Sequence, residues 1–224
     1  MEVKTKVKMN KIIIVLISFF MLHTPLCTLA QTELHHGDLL FNITDTTNAS
    51  EFAKSIVGST QGIDHLKVSH VAIVCKEEKG TYVLEATAKH GVWMTPISSY
   101  FEEADKDSEG KPMVLIGRIT NPDADLNTSV QKAKAFIGLK YDFTFDPSDE
   151  EMYCSELVQK SYVTTEGKLI FPTIPMSFHD EDGKILPYWI NYYLKRNLDV
   201  PEGEPGSNPG QISRDKNVKI YTLN

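Results

Sequence analysis

The sequence predicts an α+β domain, an antiparallel sheet with helices packed against it. Three observations carry this prediction. Residues 69–75 form a β-branched run that turns back through residues 81–86. Residues 91–97 and 113–120 repeat the short strand pattern, as antiparallel sheets require. Behind Cys154, apolar side chains recur at helical spacing.

Taken in order, residues 39–43 read as a strand entered through the turn-forming Gly37-Asp38, and residues 44–48 as a polar loop. Ser50 is placed to cap a helix over residues 51–57, with Phe52, Ile56 and Val57 on one face, before a break at residues 58–64. The hairpin follows. With its turn centred between Glu77 and Glu78, His70 falls directly opposite Glu85, within side-chain reach. A polar, acidic stretch over residues 102–110 separates the later strands. Asn121-Pro122-Asp123 opens a helix with Val130, Ala133, Ala135, Phe136 and Ile137 on its apolar side and Gly138 as its stop. Residues 141–147 read as a loop. The next helix starts near Cys154, with Leu157, Val158, Ser161 and Tyr162 facing the core. Pro172, Pro175, Pro201, Pro205 and Pro209 mark an irregular tail, interrupted by a helix over residues 188–195 and closed by a strand over residues 218–223.

The first thirty residues stand apart. Lys4, Lys6, Lys8 and Lys11 precede a short apolar run, residues 12–22, and Thr28-Leu29-Ala30 supplies small residues for cleavage before Gln31. A spanning helix needs about 20 apolar residues, roughly twice what this run offers. Residues 1–30 are therefore expected to be a secretory signal peptide and residues 31–224 a single domain, exported to the periplasm or cell surface with no stable membrane span after signal removal. Lipidation at Cys27 is disfavoured by the bulky Leu26 before it. Losing four lysines and Glu2 takes the formal charge from −7 to about −10, which argues against nucleic acid or anionic lipid as partner. Cys75 and Cys154 remain; a domain of this size needs no disulfide, and the two lie in very different local patterns.

A cysteine at a helix start is a candidate nucleophile, because unpaired backbone N–H groups favour a thiolate. The helix alone is too weak. Lowering a thiol from about 8.5 to the papain range near 3 to 4 takes about 6 kcal/mol, and a helix terminus supplies about 0.3 to 1, at best about 2 kcal/mol. A cation must provide the rest, and an imidazolium also serves as acid and base in acyl transfer. His23 leaves with the signal, His35 and His36 lie at the mature terminus, His65 and His90 in loops, and His179 in a proline-rich segment; His70 alone opens a buried strand. Glu85 on the partner strand could accept from the second ring nitrogen and complete a Cys-His-Glu triad. Each residue also has a plain alternative: a lone cysteine is commonly a small core residue, and a strand histidine a structural one. Cys75, Trp93 and Trp189 read as core residues. No metal or cofactor is implied.

A resemblance adds to this reading. Gly138-Leu139-Lys140-Tyr141-Asp142-Phe143 followed by Tyr153-Cys154-Ser155-Glu156-Leu157 resembles the nucleophile region of NlpC-type cell-wall cysteine peptidases, which carry Gly-x-x-Tyr-x-Trp and then Asp-Cys-Ser-Gly-Leu. Gly37-Asp38-Leu39-Leu40-Phe41 is similar to their Gly-Asp-Leu-Val-Phe strand, and Ser69-His70-Val71-Ala72-Ile73 to their Ser-His-Val-Gly-Ile strand. Here the cysteine helix follows the histidine strand instead of preceding it, an order that resembles the circularly permuted papain-like amidases of the YaeF/YiiX type, in which a glutamate also follows the histidine. The match spans residues 37–162, with Phe143 for Trp, Tyr153 for Asp, Glu156 for Gly and Glu85 where the ordinary family often has histidine.

The resemblance implies a permuted, papain-like (NlpC-type) domain. It implies Cys154, His70 and Glu85 as catalytic residues, with Tyr141 beside the nucleophile sharing the oxyanion with the Cys154 N–H. Asp38 and Tyr153 become candidate substrate-binding residues, Asp38 with a turn-forming alternative. The implied reaction is cleavage of an amide through a thioester, in peptidoglycan-derived peptides or another N-acyl amino acid. Two other functions stay open: a lipid acyltransferase or esterase, since permuted papain-like domains resemble the lecithin-retinol acyltransferase group, and a non-catalytic envelope-binding domain.

Overall fold

The computed structural model describes residues 32–223; the expected signal peptide, with Cys27, lies outside the described residues. In chain order the strands are β1 (Leu39–Ile43), β2 (Val68–Glu77), β3 (Gly80–Thr87), β4 (Gly91–Pro96), β5 (Val114–Ile119), β6 (Lys140–Tyr141), β7 (Glu151–Met152), β8 (Ile174–Pro175), β9 (Pro205–Gly206) and β10 (Val218–Thr222). The helices are α1 (Glu51–Ser59), α2 (Ile97–Glu103), α3 (Leu126–Ala135), α4 (Cys154–Ser161), α5 (Pro187–Leu194) and α6 (Pro209–Ser213). Six strands make one sheet in the order β10-β5-β1-β2-β3-β4, and every adjacent pair in it is antiparallel. The α+β class expected from the sequence is the one observed. No helix among the described residues is long and apolar enough to cross a membrane.

The central strands are covered on both faces, which is why residues 71–75 are continuously apolar rather than alternating. On one face Leu39, Phe41, Val71, Ile73 and Leu84 pack with Val130 of α3 and Leu157 and Val158 of α4. On the other, Leu40, Ala72, Val74, Val83 and Ile116 pack against Tyr100 of α2. A third cluster, Met176, Phe178, Trp189 and Tyr193, lets α5 sit against α1. Cys75 is fully buried in the first core and Trp189 in the third, as expected of core residues. Both described cysteines are free.

Three details differ from the sequence expectation. The hairpin pairs Glu77 with Gly80 and Ile73 with Leu84, so its turn lies one residue later than expected, with Gly80 taking a φ of 142° that favours glycine. His70 and Glu85 are therefore diagonal neighbours rather than directly opposed. The displacement is two residues in partner number, so side-chain parity survives and both still lie on one face. Second, residues 97–103 form α2, where a strand end and an acidic loop were expected; Tyr100 is its buried anchor, 4% exposed. Third, Trp93 is only partly buried, because β4 is the edge of the sheet, and it stacks on His90 with ring centroids 3.9 Å apart.

Helix α4 is the element that carries Cys154, and its inner row anchors it to the sheet. Tyr162, just beyond its end, donates from its hydroxyl to the Gly37 carbonyl at 2.9 Å, tying the helix to the entry of β1. Leu157→Ala removes a fully buried side chain from this interface. It is expected to cost about 3 kcal/mol, measured as a lower urea midpoint with an unchanged denaturant slope; a loss below 1 kcal/mol would show that α4 is anchored elsewhere.

Candidate active site

The site forms where α4 meets the bulged start of β2. Asn42 pairs with His70 and Ile43 with Val68, so Ser69 is an extra residue in the ladder. The bulge lets Val68 and Val71, three positions apart, enter the same core, and it turns His70 toward the sheet end where α4 begins. His70 Nε2 meets Glu85 Oε2 at 2.8 Å, with the histidine side chain 19% and the glutamate side chain 9% exposed. Cys154 acts on the same imidazole both as a hydrogen-bond partner and as a charge. With Nε2 taken by Glu85, Nδ1 is the nitrogen left for the sulfur. Burial opposes the imidazolium, but its hydrogen bonds to Cys154 and Glu85, together with their charges, outweigh it and raise the His70 pKa from 6.5 to about 10.

Cys154 is the first residue of α4 and 5% exposed, so its own N–H has no partner within the helix. Tyr141, 6% exposed, is brought to it by two short links. Gly138 N–H donates to Val92 O and Val92 N–H to Leu139 O, each at 2.9 Å, and β6 then pairs Tyr141 with Met152 of β7. Gly91 makes the first link possible, since a side-chain carbon there would lie 2.1 Å from the Leu139 carbonyl oxygen. Burial, and then the charge of Cys154, hold the Tyr141 phenol far above its usual pKa, so it keeps its proton and can donate. Cys75 differs in chemistry from Cys154: burial drives its pKa up to about 12, which makes it an inert thiol.

Two residues near the site carry no sequence signal. Tyr100 of α2 donates from its hydroxyl to Asn42, the cross-strand neighbour of His70. Burial first, then the charges of Glu85 and Cys154, raise its pKa, which places this phenol within electrostatic reach of both. Its role depends on a helix that residues 97–103 do not announce.

The two candidate substrate-binding residues fall in different places. Tyr153 lies in the wall of the cavity beside Cys154, and its oxygen accepts from Ser207 N–H at 3.1 Å. Asp38 is 2% exposed and committed elsewhere: Arg118 donates from Nε to Oδ1 at 3.0 Å and from an η nitrogen to Oδ2 at 2.8 Å, and His35 N–H donates to Oδ2 at 2.7 Å. It is not among the residues lining that cavity. Glu156, where the ordinary family has glycine, is buried and bonded to Lys160 at 2.8 Å; burial outweighs this pairing and raises its pKa to about 7.

The cavity beside Cys154 measures about 60 Å³ and is walled by Tyr141, Tyr153, Ser155, Trp189 and Ser207 among others. Met176, Phe178 and Ser207 belong to the proline-rich tail that reads as irregular in the sequence, and Trp189 to the helix that interrupts it. Among the described residues, no group of three or more His, Cys, Asp or Glu side chains is arranged to hold a metal ion.

Comparison with known proteins bears on the family and the fold. Residues 33–220 match the family described as permuted papain-like amidase enzymes, YaeF/YiiX, C92 family. The chain is 31% identical over 131 residues to the uncharacterized protein YiiX of Escherichia coli K12, an alignment spanning 58% of each chain. It is similar in fold to the crystal structure of the metalloprotein yiiX from Escherichia coli O157:H7, with a TM-score of 0.65, 23% identity, and coverage of 85% of this chain and 97% of that one.

Two tests read this site without a substrate. Because the His70 pKa is raised on folding, its contribution to stability is fully present below pH 6.5 and is lost as pH rises toward 10. Urea midpoints of the wild type and His70→Asn are expected to differ most at low pH and to converge across that window; parallel curves would show that the imidazole gains no partners on folding. Asp38→Asn is expected to cost about 2 kcal/mol, since it weakens a buried acceptor, yet to leave the rate of Cys154 alkylation unchanged. Slower alkylation would bring Asp38 into the site.

Proposed function

Since the chain belongs to the permuted papain-like amidase family, we propose that it is an exported cysteine amidase whose nucleophile is Cys154, with His70 as its acid and base and Glu85 orienting the imidazole. The observation that carries this reading is the double engagement of His70, bonded to Glu85 at 2.8 Å and acted on by Cys154 at the first position of α4. An imidazolium beside a sulfur supplies the stabilisation that a helix terminus lacks.

The proposed cycle begins with the ion pair. The Cys154 sulfur attacks the amide carbonyl carbon, forming a C–S bond while the carbonyl oxygen becomes an oxyanion held by the Cys154 N–H and the Tyr141 hydroxyl. His70 gives its proton to the amide nitrogen, the C–N bond breaks, and the amine leaves. Water then loses a proton to His70 as its oxygen attacks the thioester carbon. The C–S bond breaks, the carboxylic acid departs, and the thiolate and imidazolium are restored. Glu85 keeps Nε2 protonated, so that Nδ1 handles the proton that moves.

The proposed substrates are peptidoglycan-derived peptides or other N-acyl amino acids. The small cavity beside Cys154, about 60 Å³, supports a short acyl group there rather than a fatty chain.

Incubation with muropeptides and a panel of N-acyl amino acids is expected to release free amine with the wild type. Cys154→Ser and His70→Ala should lower that rate by about 10³-fold or more, and Glu85→Gln on the order of 10²-fold. Peptide-mapped alkylation provides a second readout, with Cys154 modified at pH 6, Cys75 unmodified, and the Cys154 rate at least about tenfold lower in His70→Ala. An enzyme that labels normally but cleaves no member of either class would instead support a binding domain.

A further inference from the structure

The wall of the cavity beside Cys154 carries no Asp, Glu, Lys or Arg side chain. A charged group seated there would lose its hydration without meeting a counter-charge, which is strongly unfavourable. The wall is not wholly apolar, however. Ser155 and Ser207 are 1% and 6% exposed, and among the described residues neither hydroxyl has a hydrogen-bond partner. Two orphaned hydroxyls in one small cavity are costly in a protein that otherwise pairs its buried polar groups. Both hydroxyl oxygens are closed off from solvent, so a turn of the side chain toward the cavity is what lets a bound donor or acceptor satisfy them.

Ser207 is held in place by its neighbours. Its N–H donates to the Tyr153 oxygen at 3.1 Å. Gly206 permits that approach, because a side-chain carbon at this position would come within 2.5 Å of Met176 and 2.9 Å of the Tyr153 oxygen. Ser207 is thereby fixed at its backbone, which holds the attachment point of its side chain at the cavity wall. Its fixed backbone also explains why the tail presses into the site at β9.

We propose that this cavity is the acyl site of the enzyme, and that Ser207, with Ser155, selects a short, uncharged acyl group bearing a hydrogen-bonding function. The inference rests on the reading of Cys154 as nucleophile. In that chemistry the amine departs while the acyl carbon stays bonded to the sulfur, so the cavity whose wall includes Cys154 holds the acyl side through both half-reactions. The small volume, about 60 Å³, favours short acyl groups.

The test uses aminocoumarin amides that share one leaving amine. Their acyl groups form two near-isosteric pairs, 3-hydroxypropanoyl with butanoyl and succinamoyl with succinyl, plus decanoyl. In the wild type, kcat/KM is expected to favour 3-hydroxypropanoyl over butanoyl by about tenfold or more, and neutral succinamoyl over succinyl by about 10²-fold. Ser207→Ala should collapse the first ratio to about 1 through a loss of 3-hydroxypropanoyl turnover. Preference for decanoyl, no preference within the pairs, or ratios that persist in Ser207→Ala at unchanged thermal stability would each overturn the proposal. Should the wild type cleave none of them, calorimetric binding of the corresponding free amides to Cys154→Ala decides the matter separately. The same order of affinities sustains the neutral cavity and removes the hydrolase, whereas no ordered binding removes the cavity assignment.

Discussion

The imidazole of His70 is shared between a carboxylate on the neighbouring strand and a sulfur on a helix, and most of the architecture serves that sharing. Glu85 reaches Nε2 at 2.8 Å because β2 and β3 form a tight hairpin, while Cys154 approaches because α4 is packed against the same two strands. Burial alone would strip the proton from the ring; the two partners reverse that outcome and leave the His70 pKa near 10. Such an imidazolium depends on both partners, since withdrawing either removes part of what offsets burial and lets the His70 pKa fall. The bulge at Ser69, the inner row of α4 and the Tyr162 tether to Gly37 can all be understood as ways of keeping three side chains from three elements in register.

The charges around this centre are arranged by distance as well as by contact. Tyr141 and Tyr100 both feel the Cys154 charge, and burial keeps both phenols protonated. Tyr141 can offer its hydrogen to a substrate oxygen, whereas Tyr100 donates to Asn42 behind the histidine strand. Asp38 and Arg118, by contrast, form a separate pair that fastens β1 to β5. Polar residues in the two positions look alike in sequence, and only packing separates them.

Much of the fold was legible because its local signals agree with its tertiary needs. The strands over residues 39–43, 69–75, 81–86 and 114–119, the Ser50 cap and the helix opened by Cys154 all appear where composition and spacing put them. Gly80 could have corrected the hairpin register, since only glycine readily accepts its backbone angle, but the acidic Glu77-Glu78 pair is an equally plausible turn. The pairing of His70 with Glu85 survived because the error was an even one. Helix α2 was not legible: its first turn has no capping side chain, and what holds it is the burial of Tyr100 against distant strands. In the tail the helix over residues 188–195 and the closing strand were legible, but the contacts of its turns with the site were not. Its proline and glycine residues announce turns, and nothing local reveals that those turns lean on Tyr153, Met176 and Trp189.

That tail separates two tasks along the chain. The strands bearing His70 and Glu85 and the helix bearing Cys154 lie before residue 162, whereas Met176, Phe178, Trp189 and Ser207 come after it. Replacing Met176, Phe178 or Ser207 reshapes the room beside the sulfur from outside the strands and the helix that position the proposed triad. Divergence in the shape of the cavity can therefore proceed by drift in one late segment of the polypeptide, while the strands and helix that hold His70, Glu85 and Cys154 are inherited unchanged.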